Sequence, residues 1–127
     1  MSHLIRPILT SGISHVLFAF FAMGAWAYYV NSGHGSTAAF LAAMTQGSAS
    51  ALITALMKRS LEALFTLLRA SPLRRILPWI ATTALAASGL VLYHLATWTP
   101  NLLGTIAVPL FVSTSYAIAY TQLLARR

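Results

Sequence analysis

A chain of 127 residues that is 58% hydrophobic and only 7% charged cannot hide its apolar side chains in a water-soluble core, because small domains leave much of their surface wet. Its solvent is lipid. The formal net charge of +7 comes from a few basic residues with no soluble module to carry them, which argues against nucleic acid as a partner, and the absence of cysteine excludes a disulfide framework, a thiolate metal site and a cysteine nucleophile.

A transmembrane helix needs about 20 mostly apolar residues. Four stretches qualify: residues 8–30, 37–57, 76–97 and 102–123. None shows the period-two alternation of a membrane β-strand. The predicted fold is an all-α membrane protein, one four-span domain over residues 1–127, built as two helical hairpins. A short cytoplasmic amphipathic extension follows the second helix.

Arg6 precedes the first span, and Trp26, Tyr28 and Tyr29 close its outer end, where aromatic rings favour the interface. Arg6, the apolar run and Ala25-Trp26-Ala27 also fit a signal peptide with a small-residue cleavage site. The run continues to Val30, longer than such a segment needs, so the span is expected to be retained. His15 lies about 10 Å inside the inner end of this span. "NSGHGS", from Asn31 to Ser36, then reads as an uncharged turn.

The second span carries Gly35, Ala39, Ala43, Gly47, Ala51 and Ala55 at every fourth position. Such a small-residue stripe lets helix backbones approach closely in lipid. Beside it run Gln46, Ser50, Thr54, Lys58 and Glu62. Gln46 falls near the middle of the span, where an amide facing lipid is costly. It should face protein or water, as interhelical glue or as a contact for a transported species.

Past Met57, Leu61, Leu64, Phe65 and Leu68 recur at helical spacing opposite Lys58, Glu62, Thr66 and Arg69. This pattern predicts an amphipathic segment on the inner surface, ended by Ser71-Pro72. Glu62, the only side-chain carboxylate, is within helical reach of Lys58 and Arg59, which predicts an exposed ion pair. Lys58, Arg59, Arg69, Arg74 and Arg75 suit anionic headgroups.

In the third span Trp79 sits near the inner end, and His94 lies about 27 Å along it, near the outer end. "TWTPN", from Thr97 to Asn101, makes the second uncharged turn. The fourth span holds Pro109, read as a static kink, and Tyr116, before Arg126 and Arg127. All eight Lys and Arg fall on one side of an even-span topology, which the positive-inside rule makes the cytoplasm. A bacterial inner membrane, with both termini cytoplasmic, is the expected location.

His15, Ser50, Thr82, Thr83 and Tyr116 share a similar depth and could form a polar layer. His15 and His94 differ in depth by roughly 16 Å, too far to share a metal ion, whose ligands lie about 2 Å from it. No metal or cofactor is expected. With no Asp and one Glu, a Ser-His-carboxylate triad cannot be completed within the membrane, and no enzyme is expected. Small drug exporters share the four-span plan. The carboxylate that marks their first span is missing here, so the likeness stops at architecture.

The expected function is a small structural or accessory subunit packing through the Gly35-to-Ala55 stripe into a homo-oligomer or larger membrane complex. Its partners are the bilayer and itself or another membrane protein. The alternative is a small oligomeric transporter or channel whose polar pathway uses His15, Gln46, Ser50, Thr54 and Tyr116, for a ligand the residues do not name.

Overall fold

The computed structural model describes residues 12–127. The expectations on Arg6 and the start of the first span lie outside the described residues. Helix α1 covers Gly12–Asn31, α2 Ser36–Leu67, α3 Leu77–Ala96 and α4 Leu102–Ala125, with single 3₁₀ turns at Ser32–His34 and Pro72–Arg75. No strand occurs among the described residues. Four helices are long and apolar enough to cross a membrane.

The turns follow from local chemistry. Gly35 takes φ +100, a left-handed conformation that a side chain would strain, and so redirects the chain from α1 into α2. It therefore sits in the turn and not on the helical stripe. Ser71 Oγ accepts from the Leu73 amide at 3.1 Å, with Pro72 at the first position of the turn, where its missing N–H costs nothing. Asn101 caps α4 by accepting from the Gly104 amide at 3.0 Å, as N-cap side chains do. Pro109 is buried inside α4, which continues through it.

Helix α2 is the hub. It packs against α1, α3 and α4, while α1 and α3 do not meet among the described residues. At 1.5 Å per residue its 32 residues span about 48 Å, well beyond a hydrocarbon core of about 30 Å. The segment after Met57, expected as a surface-lying extension, is the uninterrupted end of this helix. Part of its apolar face packs inside the bundle: Met57 and Leu61 bury with Ala117 of α4, flanked by Ile53, Trp79 and Tyr120. An apolar face at helical spacing can meet a neighbouring helix as readily as a membrane surface, and here the neighbours are α3 and α4.

The α1–α2 contact is the tightest. A Cβ on Gly24 would lie 3.1 Å from the Ala43 carbonyl oxygen, and one on Gly47 2.9 Å from that of Phe20. Ala27, Ala39 and Ala42 are buried nearby. In lipid, close backbone approach and the dispersion contacts it permits hold helices together. The centre of the small-residue stripe is therefore taken up within the chain. Ala43 and Ala51 are half-buried, and only Ala55 on the helix remains exposed.

Candidate functional site: a sealed polar network and an inner cleft

Two polar networks tie the helices toward the end of the bundle that carries the Ser32–His34 turn. In the first, Gln46 of α2 and His94 of α3 are both 0% exposed. Gln46 Nε2 donates to Ser50 Oγ at 2.7 Å, which leaves Gln46 Oε1 as the acceptor facing His94 Nε2 at 2.7 Å. The imidazole must then carry its proton on Nε2. Its Nδ1 lies 2.6 Å from Thr99 Oγ1, whose hydroxyl can donate to a neutral ring. One helical turn along, the Thr45 hydroxyl donates to Thr97 Oγ1 at 3.1 Å. Gln46 and His94, expected at different depths, are thus level with each other. Spans of unequal length, with α2 far the longest, do not share one centre.

In the second network Asn31, also fully buried, closes α1. Its Nδ2 donates to the Ala27 carbonyl and to Thr105 Oγ1, each at 2.8 Å, and its Oδ1 accepts from the Asn101 amide at 2.9 Å. Trp26 Nε1 donates to the Gly104 carbonyl at 3.0 Å. An Asn before Ser-Gly reads as turn chemistry, and that pattern masks its role as the lock between α1 and α4.

At the opposite end, on the side of the Pro72–Arg75 turn, the arrangement is looser. A cleft of about 920 Å³ opens between α1, α2 and α4. His15 and Val16 of α1, Thr54, Lys58 and Arg59 of α2, and Ser113 and Tyr116 of α4 line it. Three of the five expected pathway residues, His15, Thr54 and Tyr116, therefore share one cavity. Gln46 and Ser50 do not; they belong to the sealed Gln46–His94 network. Thr82 lines a second groove of about 440 Å³ between α2 and α3, which meets the cleft at Ile53 and Met57. The hydroxyls of Thr82 and Thr83 are buried without a hydrogen-bond partner.

Glu62 does not pair with Lys58 or Arg59. Its carboxylate accepts a hydrogen bond from the Tyr120 hydroxyl, and Tyr120 stacks on Tyr116 with ring centroids 5.7 Å apart. Glu62 is half-buried. A neutral phenol satisfies the carboxylate there without the desolvation of a second charge. Lys58 and Arg59 remain exposed and unpaired within the described residues. Arg74 donates to the Arg69 carbonyl at 3.3 Å, and Gln122 donates to the Arg75 carbonyl at 3.0 Å. No group of three His, Cys, Asp or Glu side chains converges among the described residues.

The four apolar helices fit a multi-pass membrane protein. No protein family, curated protein or solved structure matches the chain.

Proposed function

We propose that the chain is a small, non-catalytic subunit of a bacterial inner membrane, with both termini cytoplasmic, that assembles with a second copy of itself across the α2–α3 groove. The groove carries this reading. Ala49, Ala86 and Gly89 contribute small side chains to it. A Cβ on Gly89 would meet nothing within 4 Å, and Thr82 adds a buried hydroxyl with no partner. Small residues facing outward admit another helix at close range, and a membrane-buried hydroxyl favours a partner that satisfies it.

In native nanodiscs, wild-type particles should have the mass of a homo-oligomer, and Gly89→Trp should reduce them to single chains without loss of fold. An oligomer unchanged by Gly89→Trp would overturn the groove as the interface. A foreign protein at fixed stoichiometry would make the chain an accessory member of a larger complex instead.

The orientation rests on Lys58, Arg59 and the Pro72–Arg75 turn lying at the same end of the bundle as the C-terminal end of α4. Because the chain lacks cysteine, Gly33→Cys and Ala70→Cys each introduce a single reporter thiol. An impermeant maleimide applied to intact spheroplasts should label Gly33→Cys and spare Ala70→Cys. The opposite pattern would invert the topology.

Transport is favoured by one observation, the convergence of His15, Thr54 and Tyr116 in the inner cleft. Proteoliposomes loaded with a pH-sensitive dye would then show proton flux that Thr54→Val and His15→Phe reduce. Flux no higher than in empty liposomes would remove proton transport.

A further inference from the structure

The inner cleft is amphiphilic, and its charge is one-sided. Val16, Leu17, Phe18 and Val112 supply apolar walls, and Lys58 and Arg59 line the cleft together with the hydroxyl-bearing Thr54, Ser113 and Tyr116. Lys58 and Arg59 have no anionic partner within the described residues. The chain's single side-chain carboxylate is Glu62, already engaged by Tyr120. Residues 1–11 contain no Asp or Glu, and a second copy would bring the same composition.

The occupant that fits is therefore an exogenous anion with an apolar tail. From this charge complementarity we infer that the cleft between α1, α2 and α4 binds one anionic phospholipid of the inner leaflet. Lys58 and Arg59 hold the phosphate, and an acyl chain lies along the α1 and α4 walls. Hydroxyls at the polar end can donate to phosphate or ester oxygens. An acyl chain fills space that would otherwise leave the lining without contacts. The groove proposed for assembly lies between α2 and α3 and has only Ile53 and Met57 in common with this cleft.

The test is native mass spectrometry of the full chain released from nanodiscs of phosphatidylcholine doped with phosphatidylglycerol. Wild type should retain one phosphatidylglycerol in preference to phosphatidylcholine. Removing both cleft charges, Lys58→Gln with Arg59→Gln, should weaken retention roughly thirtyfold, at about fivefold per basic group near an anionic lipid. Removing the same charge outside the cleft, Arg74→Gln with Arg75→Gln, should change retention little. Ala19→Trp, which fills the cleft and leaves every charge in place, should also abolish retention while helix content by circular dichroism stays at the wild-type level.

Equal losses in the two charge-deleted variants would reduce the effect to general surface attraction and overturn the site. Equal retention of both lipids would overturn it as well. If Ala19→Trp retained the lipid, the acyl chain would lie outside the cleft. If it changed particle mass by one whole chain, the occupant would be a second copy.

Discussion

Gly47→Leu should cost the fold about 1–3 kcal/mol, the usual range for forcing extra methylenes into a well-packed contact, or prevent its accumulation altogether. The added Cβ alone would sit 2.9 Å from the Phe20 carbonyl oxygen, and backbone cannot move aside as a flexible side-chain tip can. Helix α1 depends on this seam, since it does not touch α3 and meets α4 far less extensively than α2. The matched control is Gly89→Leu, the same change where a new Cβ meets nothing within 4 Å. Thermal unfolding of both variants in one detergent should show a clear drop for Gly47→Leu and little change for Gly89→Leu. Equal stability of Gly47→Leu and wild type would mean that α1 and α2 do not approach as described. The pair also separates folding from assembly: the Gly47 seam is spent inside the chain, whereas the Gly89 face is open.

The contrast between those glycines marks what the sequence can and cannot reveal here. Four apolar stretches are legible because lipid demands about 20 apolar residues per helix, and the described helices fall on them. The small-residue stripe is legible as a seam because its four-residue spacing is a property of one helix. Which helix fills it is a property of two, and no spacing within α2 singles out α1. The same limit applies past Met57. Leu61 at helical spacing fits a membrane surface and a helix packing face equally well, and burial against Ala117 decides for the second. Glu62 is a third case. Spacing brings Lys58 and Arg59 within reach, but the hydroxyl that engages Glu62 comes from Tyr120, 58 residues away. Asn31 is the residue most thoroughly hidden. Its neighbours Ser32 and Gly33 advertise a turn, while the bonds that matter run 70 and 74 positions along the chain.

The Gln46–His94 pair offers the second large effect, and its sign pattern separates helix glue from a transport element. Gln46→Leu leaves the His94 Nε2–H and the Ser50 hydroxyl without their partner in a fully buried layer. An unsatisfied buried polar group costs about 1–3 kcal/mol. His94→Leu strands the Gln46 amide in the same way. The double variant removes both partners, so it should cost less than the sum of the single changes. Interhelical hydrogen bonds in a membrane protein average about 0.6 kcal/mol and reach about 1.7 kcal/mol by such cycles, and a coupling of about 1 kcal/mol is expected for this closed, doubly satisfied pair. Unfolding titrations of the four proteins in one detergent measure it. Strict additivity would show that the bond contributes nothing to holding α2 against α3. Gln46 and His94 would then be polar groups kept in the membrane at a cost without a structural return, and a functional role at the outer end would become the better account of them. A clear coupling assigns the pair to the lock between α2 and α3. The cleft lined by His15, Thr54 and Tyr116, open at the other end, would then be the part of the molecule left for a ligand.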